Sequence, residues 1–373
     1  MTELTHPWGT LTLKRWPRRR QEPLQAWDNA DRYLLDTLAE RGRGEATLVV
    51  NDQQGALWLA ASQRGQAQSL GDSWLARRAA LANAADNALS VDEADWLWPG
   101  ETPRLPDQVL LRVPKELALL EQQLAQLCAV LPSGTPLWLA GMDKHLPRQL
   151  VPVMQRYLGN GRAELGWKKA RLFSAEAPGK PLQASPYPTR VKAGDWQLTV
   201  HAGVFAQQQL DIGARLFMAH LPRNLPDGSR IADLGCGNGV IGMTAMAQNP
   251  HATVTFCDES WLALKSARDN VARYFPDRQC HFHLGDGLAG LTEPFDVILL
   301  NPPFHQGHVV GDQVARRLFR QARQALGPGG ELRVIGNRHL GYHKLLAGLF
   351  DKVTRLGGDR KFVVWQCRGL AGD

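Results

Sequence analysis

The 373-residue sequence predicts an α/β protein with two tandem doubly wound domains that arose by internal duplication. Apolar runs typical of strands alternate with helical patterns along the chain, which indicates βαβ units and parallel sheets. The same order of elements occurs on both sides of residues 175–190, a stretch rich in Pro, Ala, Gly and Ser that has the composition of a linker. We therefore predict a first domain at residues 1–180 and a second at residues 190–373.

In the first half, strand-like and helical segments follow one another without a glycine-rich loop. The segments are, in order, TLVVNDQQGALWLA, QSLGDSWLARRAALANA, DQVLLRVPKELALLEQQLAQL, PLWLAGMDKH, a further helix and WKKARLF. Each apolar run is short enough for a buried strand, and each is followed by a helical period, as a parallel sheet requires.

The second half repeats this order and adds a glycine loop. Its segments are RIADLGCGNG with the helix GVIGMTAMAQ, TVTFCDESWLALKSARDNVA, DVILLNPPF, a helical stretch to Leu326, GELRVIGNRH, a last helix and RKFVVWQC. Matching strings support a duplication: SLGDSWLARRAALAN aligns with TFCDESWLALKSARDN, pairing Asp72 with Asp258 and Trp74 with Trp261.

The two halves differ where a ligand would bind. DQVLLRVPK aligns with DVILLNPPF, so the first half has Arg112 where the second has Asn301. The first half also offers only NDQQG at the place of the glycine loop. We therefore predict that the first domain is catalytically inactive and serves recognition.

Composition and cysteine usage indicate a globular protein of a reducing compartment. Hydrophobic residues make up 44% and charged residues 21% of the chain, and no apolar run approaches the roughly 18 residues of a membrane span. The N-terminus has no apolar segment typical of a secretory signal. The five cysteines are scattered without CxxC spacing, which argues against disulfides and zinc. We expect a cytoplasmic protein with no membrane partner and no metal.

The positive charge of the chain favours a polyanionic partner. The formal net charge is +7, and the densest basic segments, KRWPRRR and WKKAR, each contain tryptophan. Basic side chains beside an aromatic ring suit phosphate contact and base stacking. The candidate nucleic-acid contacts are Arg18, Arg19, Arg20, Lys168 and Lys169. The alternative is a solvated N-terminal arm and an ordinary amphipathic strand.

A glycine loop follows the strand RIAD and leads into a helix. Gly235, Gly237 and Gly239 permit a tight turn and the close approach of a ligand to the backbone. We interpret the spacing as GxGxG rather than the GxGxxG of dinucleotide folds. The leading Asp233 would repel a pyrophosphate but can accept hydrogen bonds from a ligand ammonium group. Cys236 is explained by its small size beside the ligand.

Acidic residues follow the next two strands. Asp258, with Glu259 beside it, ends one strand and is placed to accept hydrogen bonds from both hydroxyls of a ribose. Asp286, in HLGDGL, follows another strand and can accept from an adenine amino group. Because the carboxyl ends of parallel strands meet at one edge of the sheet, these carboxylates are expected around one nucleoside.

The tip NPPF stops a buried strand abruptly. Prolines cannot donate to a ladder, and each holds the preceding residue extended, so the tip is rigid. The Asn301 side-chain oxygen and the Pro302 carbonyl suit the orientation of a flat amino group, with its lone pair pointing at an electrophile. Pro303 stiffens the tip, and Phe304 is placed to stack on the ring that carries the amine.

Together these elements resemble a Rossmann-like class I S-adenosylmethionine-dependent methyltransferase over roughly residues 195–370. The resemblance implies S-adenosylmethionine as the methyl donor and a planar nitrogen as the acceptor. It also implies that the segment at residues 204–221 covers the cofactor, with Phe205 and Asp211 near it. The alternative for these two residues is a simple packing helix.

The duplicated architecture resembles the bacterial ribosomal RNA guanine-N2 methyltransferases of the RlmG/RsmC type. PLQAWDNADRYLL, VPKELALLEQQL and HAGVFAQQQLDIGARLFMAHLP are most similar to the large-subunit, or RlmG-type, members. The resemblance implies methylation of the exocyclic N2 of one guanine in 23S rRNA. The sequence leaves the oligomeric state open, and a duplicated chain is compatible with a monomer.

Other functions remain open from the sequence. The alternatives are a methyltransferase for guanine N2 in 16S rRNA, for DNA adenine or for a protein glutamine. A non-catalytic RNA-binding or assembly factor is a further alternative. The intact acids, glycines and NPPF tip argue against such a factor.

Overall fold

The protein folds into two compact units, Met1–Tyr187 and Pro188–Asp373. The structure is a computed structural model and describes residues 2–19, 21–205, 212–302 and 308–369. For Thr2 and residues 308–312 it describes the backbone alone. Over these ranges, no helix combines the length and apolar character needed to span a bilayer.

Unit 1 is a sheet with helices on its faces, preceded by a hairpin. Its strands are β1 (Thr2–His6), β2 (Gly9–Leu13), β3 (Thr47–Val50), β4 (Ala67–Leu70), β5 (Trp96–Leu97), β6 (Gln108–Arg112), β7 (Pro136–Met142), β8 (Arg162–Trp167) and β9 (Ala170–Glu176). Its helices are α1 (Asn29–Arg41), α2 (Ala56–Arg64), α3 (Trp74–Asp86), α4 (Leu117–Val130) and α5 (Leu150–Leu158).

Unit 2 repeats this arrangement. Its strands are β10 (Thr189–Ala193), β11 (Trp196–Val200), β12 (Arg230–Leu234), β13 (Thr253–Asp258), β14 (Cys280–Leu284), β15 (Phe295–Leu300), β16 (Leu326–Asn337), β17 (Lys352–Gly358) and β18 (Phe362–Arg368). Its helices are α6 (Ile212–Met218), α7 (Val240–Gln248), α8 (Trp261–Tyr274), α9 (His308–Ala325) and α10 (Tyr342–Ala347).

The two sheets have the same topology. Among the described residues each has seven strands, in the orders β5-β4-β3-β6-β7-β9-β8 and β14-β13-β12-β15-β16-β18-β17. The first five strands of each order are parallel and the last two are antiparallel to their neighbours. The predicted α/β class with two doubly wound halves is confirmed.

Each unit carries an antiparallel hairpin that the sequence patterns did not indicate. β1 pairs with β2, and β10 pairs with β11. One buried asparagine secures each hairpin: Asn83 hydrogen bonds the N–H and C=O of Lys14, and Asn270 does the same for Thr199. Each asparagine also donates to a carbonyl in the loop before α2 or α7, so hairpin, helix and loop are fixed together.

The first residues of helices α3 and α8 show how the sequences of the two units align. Ser73 and Ser260 are their N-caps, and each hydroxyl accepts the N–H of the residue three positions further on. Trp74 and Trp261 are the first residues of the two helices, as the predicted alignment requires.

This alignment corrects one predicted pair. With the N-caps superposed, Gly71 corresponds to Asp258 and Asp72 corresponds to Glu259, so the pairing of Asp72 with Asp258 is wrong by one residue. The error arose because an acid stands one position apart in the two halves. A Cβ atom on Gly71 would lie 2.7 Å from the Trp96 ring. In unit 1 this ring therefore occupies the space that corresponds to the Asp258 carboxylate of unit 2.

Candidate active site

The predicted site residues of unit 2 lie at the carboxyl edge of its sheet. β12 is the central strand, with β13 on one side and β15 on the other. The chain order reverses at β12, and ligands of open α/β sheets bind at such a switch point. The glycine loop follows β12, Asp258 ends β13, and Asn301 directly follows β15.

The glycine loop turns sharply from β12 into α7. Gly235, Gly237 and Gly239 have φ angles of +74°, +53° and +85°, which residues with side chains rarely adopt. Gly235 N–H donates to the carbonyl oxygen of Cys257 at 2.8 Å, which ties the loop to β13. A Cβ atom on Gly235 or Gly237 would meet no described atom within 4 Å, so open space lies over the loop.

Gly239, at the end of the loop, and Gly242, within α7, allow close packing and do not line this space. A Cβ on Gly239 would lie 2.9 Å from Cβ of Ala267, and one on Gly242 would lie 2.3 Å from the Phe256 ring. Gly237, Gly239 and Gly242 have the GxGxxG spacing. The predicted exclusion of a dinucleotide by spacing is therefore wrong, because Gly242 completes the longer pattern two residues after Val240.

Asp233 supports the loop from beneath. It is 2% exposed, and its Oδ2 accepts the Gly242 N–H at 2.8 Å. Burial raises the pKa of this carboxyl group to about 7, the Gly242 hydrogen bond opposes that rise, and the charge of Asp258 adds to it. The predicted contact with a ligand ammonium group stays a prediction, and the oxygen left for it is Oδ1.

Asp258 connects the loop to the next helix. Its Oδ2 accepts the Gly237 N–H and its Oδ1 accepts the Ser260 N–H, both at 3.0 Å. Burial raises the pKa of this carboxyl group, against the effect of its backbone donors. A carboxylate oxygen has two lone pairs, so each oxygen keeps capacity for a ribose hydroxyl. Glu259 follows it at the same edge.

Asp286 and Cys236 complete the predicted cofactor set. Asp286 follows β14, and its Oδ1 lies 3.2 Å from the guanidinium of Arg317. This buried oxygen forms no hydrogen bond with the described residues, so the contact is an ion pair that leaves the acceptor available. Cys236 is 5% exposed, and burial raises the pKa of its thiol well above the usual value, which keeps it neutral. Within the described ranges, no three His, Cys, Asp or Glu residues gather as metal ligands.

Asn301 presents an unsatisfied acceptor at this edge. Its Oδ1 is buried and accepts no hydrogen bond from the residues that the structure describes. Such an atom costs about 1–3 kcal/mol when it has no partner, so it indicates a place for a donor. Pro302 follows as a buried residue, and the predicted role of its carbonyl as a second acceptor stays a prediction.

Four predicted residues lie outside the described residues: Pro303, Phe304, Asp211 and Arg20. Phe205 is described, and its side chain is 51% exposed at the end of the segment that precedes α6. Its expected place beside the cofactor stays a prediction.

Comparison with known proteins decides the family. Residues 1–179 match the model of the RLMG N-terminal domain, and residues 195–366 match that of the methyltransferase small domain. The chain is 66% identical to the ribosomal RNA large subunit methyltransferase G of Alcanivorax borkumensis, covering 99% of this chain and 97% of that one. The chain belongs to the ribosomal RNA large subunit methyltransferase G family. This confirms the resemblance inferred from the sequence.

Other comparisons agree with this assignment. The enzyme of the same name from Ectopseudomonas mendocina is 47% identical, over 98% of this chain and 99% of that one. The solved structure of the T. thermophilus 16S rRNA N2 G1207 methyltransferase (RsmC), in complex with AdoMet and guanosine, has a TM-score of 0.74 and 22% identity. It covers 99% of this chain and 97% of that chain, and it supports the fold of two tandem methyltransferase-like units.

In this methyltransferase G family member, unit 1 has a charged cluster at the position that corresponds to Asn301 of unit 2. Leu111 pairs with Val50 as Leu300 pairs with Leu234, so Arg112 corresponds to Asn301. The Arg112 guanidinium lies 2.6 Å from a carboxylate oxygen of Asp28 and 2.9 Å from one of Asp31, at the start of α1. These ion pairs narrow the edge, where a cavity of about 80 Å³ remains, lined among others by Asp28, Asp31, Asp52 and Arg112.

A carboxylate also occupies the loop of unit 1. Gly55 is the N-cap of α2 with a φ of +86°, like Gly239 at the start of α7. Asp52 is 2% exposed and accepts the N–H groups of Gly55, Leu57 and Trp58 at 2.8–3.0 Å. The helix N-terminus that could face a ligand is therefore capped by the chain itself.

The predicted RNA-binding residues fall into two groups. Arg18 lies 2.7 Å from a carboxylate oxygen of Asp86, and Arg19 lies 3.9 Å from Glu22, so both are engaged within the unit. Lys168 and Lys169 are exposed and form the turn between β8 and β9. They have φ angles of +47° and +65°, which is uncommon for residues with a side chain.

Two further lysines lie at the carboxyl edge of unit 1 and were missed from the sequence. Lys115 and Lys144 are exposed and follow β6 and β7. After burial, their charges are the largest causes that lower the pKa of His145, so the three groups lie near one another. The signal was a lysine after each of two predicted strands, in RVPK and GMDKH.

Proposed function

We propose that the protein transfers a methyl group from S-adenosylmethionine to the exocyclic N2 of a guanine in 23S rRNA. The observation that carries the proposal is the buried, unsatisfied Oδ1 of Asn301 at the switch point of unit 2, where the described residues offer it no donor. Relatives that match almost the whole chain carry the name ribosomal RNA large subunit methyltransferase G, which supports large-subunit RNA as the substrate.

The residues of unit 2 fit S-adenosylmethionine. Open space over Gly235 and Gly237 admits a ligand against the backbone, and the Asp258 carboxylate faces the same loop. We propose that Asp258, with Glu259, holds the ribose and that the polypeptide around Asp286 faces the adenine. The other proposed contacts are Asp233, Cys236, Gly239, Phe205 and Asp211. When bound, the cofactor supplies an electrophilic methyl group on a sulfonium sulfur.

The NPPF tip would hold the target amine for attack. The lone pair of an exocyclic aromatic amine is delocalised into the ring, which makes the nitrogen a poor nucleophile. Asn301 Oδ1 and the Pro302 carbonyl would each accept one N–H, which favours a tetrahedral nitrogen with its lone pair aimed at the methyl group. Pro303 keeps the acceptors rigid, and Phe304 would stack on the base. The nitrogen becomes acidic as the methyl bonds, so no dedicated base is required.

A guanine within a helix cannot reach this edge while it is stacked. The enzyme would therefore act on an unpaired or extruded base, which costs less in a loop than in a regular helix. RsmC, which shares the fold, is an N2 G1207 methyltransferase that was solved in complex with guanosine, and this supports the same base and the same atom for the present chain.

We propose that unit 1 recognises the RNA. Lys115, Lys144, Lys168 and Lys169 present cations at its carboxyl edge, and the Lys168 ammonium lies 4.7 Å from the centre of the Trp167 ring. Phosphates bind such clusters, and bases stack on tryptophan. Arg18, Arg19 and Arg20 would contribute less, because Arg18 and Arg19 already have partners. The proposal implies a cytoplasmic protein that meets rRNA as a monomer.

Incubation with methyl-labelled S-adenosylmethionine tests the proposed substrate. Unmodified 23S rRNA, 16S rRNA, DNA and total protein are supplied separately, and the labelled RNA is digested to nucleosides. Labelled N2-methylguanosine from 23S rRNA alone is the expected result. Label in 16S rRNA, in DNA adenine or in protein glutamine would replace the proposed substrate by that one. The absence of label from all four would favour an RNA-binding or assembly factor.

A further inference from the structure

A second buried amide lies at the same edge as Asn301. Asn337 is the last residue of β16 and is 9% exposed. Its Oδ1 is buried and accepts no hydrogen bond within the described part of the chain. Buried polar groups are normally paired, so this atom needs an explanation.

Local structure does not explain the side chain of Asn337. The residue is the N-cap of the short 3-10 helix Arg338–Leu340, where an asparagine oxygen usually accepts a backbone N–H. Here the side chain makes no capping hydrogen bond. The oxygen is therefore left without the partner that its position would normally supply.

Asn337 and Asn301 lie on the same face of the sheet. Leu299 of β15 is in register with Arg333 of β16, and side chains two residues apart share a face. Asn301 and Asn337 therefore project from the same face, on neighbouring strands, with Asn337 two residues further out than the position opposite Asn301. Strand geometry places their Cα atoms about 8 Å apart, so both oxygens can converge on one base.

The position of β16 separates Asn337 from the cofactor residues. The glycine loop and Asp258 follow β12 and β13, on one side of β15, whereas β16 lies on the other. An acceptor at the end of β16 therefore faces the part of the site that holds the methyl acceptor. The ligand atom it requires is a hydrogen-bond donor.

Guanine carries that donor beside the reactive amine. Its N1–H and its N2 amino group are adjacent on one edge, whereas N1 of adenine has no hydrogen and would repel a carbonyl oxygen. We infer that Asn337 is a specificity-determining residue whose Oδ1 accepts the N1–H of the target guanine while Asn301 and Pro302 hold N2. This inference rests on the proposed function.

The test compares two target bases in the full-length enzyme. A synthetic RNA fragment around the mapped target carries either guanine or 2-aminopurine, which keeps the exocyclic amine but lacks N1–H. We expect Asn337→Ala to lower kcat/KM about 10–100-fold on guanine and less than about twofold on 2-aminopurine, because only guanine loses a hydrogen bond. Asn337→Asp keeps the acceptor and should retain guanine methylation within about tenfold.

Controls separate this role from a structural one. Asn301→Ala should lower kcat/KM on both bases alike, because both carry the amine. Asn337→Leu, which has a similar size and no acceptor, takes the place of an Asn337→Ala protein that does not fold. Equal losses on the two bases, or no loss on guanine, would overturn the inference. If the wild-type enzyme methylates no guanine at N2, the proposed function fails instead.

Discussion

At the scale of single residues, buried carboxylates distinguish the two units. Asp233 and Asp258 face one loop of unit 2 and support an open space, whereas Asp52 of unit 1 fills the corresponding loop with its own side chain. The Trp58 N–H bound by Asp52 occupies the same helix position as the Gly242 N–H bound by Asp233. Both units therefore have a carboxylate that accepts this N–H, but it comes from strand β12 in unit 2 and from the loop after β3 in unit 1.

Asp233 should make the stability of unit 2 depend on pH. Burial raises the pKa of its carboxyl group from 3.8 to about 7 in the folded state, so the folded state holds a proton that the unfolded chain releases. The stabilisation is complete below about pH 4 and is lost as the pH rises to 7. Asp233→Asn stays neutral, so at pH 8 its free energy of unfolding should exceed that of wild type by on the order of 2–4 kcal/mol. At pH 4 the two proteins should be alike.

Thermal unfolding from pH 4 to 8 measures this effect. The exposed Asp227 lies in the same unit, and Asp227→Asn serves as the matched control that should follow wild type. Parallel curves for wild type and Asp233→Asn would contradict a protonated Asp233.

The residue scale also shows why some site residues were predictable and others were not. Asn301 stands out in the sequence because an amide and two prolines end an apolar run, which a strand does not otherwise need. Asn337 and Asn270 are single asparagines without a flanking signal, so only the strand register and the burial of their side chains identify them.

At the scale of elements, the hairpins β1–β2 and β10–β11 were missed because each strand has only five residues and follows no long apolar run. Their attachment depends on Asn83 and Asn270, which are polar residues on helices. Hydrophobic periodicity predicts the central strands and helices well because burial selects apolar side chains there. Hydrophobic periodicity gives no signal for a buried asparagine that holds a hairpin in place.

Asn270→Ala should destabilise unit 2, and Asn83→Ala should destabilise unit 1. Each asparagine is almost completely buried and makes three hydrogen bonds to backbone groups at 2.6–3.0 Å. Removing the side chain leaves these groups unsatisfied, at a cost of about 3 kcal/mol in each unit. Thermal denaturation followed by calorimetry measures the change. A loss below about 1 kcal/mol in either variant would refute the role assigned to the asparagine.

The two lysines of the β8–β9 turn should lower the stability of unit 1 and raise its affinity for RNA. Lys168 and Lys169 adopt left-handed backbone conformations that cost roughly 1 kcal/mol or more each, whereas an Asn-Gly pair adopts them readily. The double variant K168N/K169G should therefore have a higher melting temperature and bind RNA several-fold more weakly. Its plot of log K against log salt should be less steep by about 1–2.

Binding to an rRNA fragment at several salt concentrations tests this. Lys180 is exposed in the same unit, and Lys180→Ala is the control for a charge removed elsewhere. If the double variant is more stable but binds RNA with an unchanged salt slope, the turn does not contact phosphates.

At the scale of the whole molecule, one fold occurs twice with different residues at its carboxyl edge. Both sheets have the same strand order, yet Arg112 replaces Asn301 and Gly71 replaces Asp258. The fold and the duplication were predictable because strands and helices follow periodic patterns. The one-residue error at Asp72 was avoidable from the sequence, because the shared string SWLA that pairs Trp74 with Trp261 already places Asp72 over Glu259.

The chain should therefore bind one molecule of S-adenosylmethionine. The Arg112 ion pairs and the Asp52 cap narrow the edge of unit 1 to a cavity of about 80 Å³, well below the roughly 300 Å³ of a small ligand pocket. In unit 2, no described atom would lie within 4 Å of a Cβ atom on Gly235 or Gly237. Isothermal titration calorimetry should give a stoichiometry near one, and Asp258→Ala should weaken that binding at least about tenfold. Two sites per chain, or full binding by Asp258→Ala, would contradict the assignment of the cofactor to unit 2.

The most direct test of the central claim is nucleoside analysis of 23S rRNA from cells that lack this protein. We expect one N2-methylguanosine to be missing, to return with the wild-type gene and to stay missing with Asn301→Ala, although that variant still binds S-adenosylmethionine. A complete set of N2-methylguanosines without the protein, or restoration by Asn301→Ala, would contradict the account.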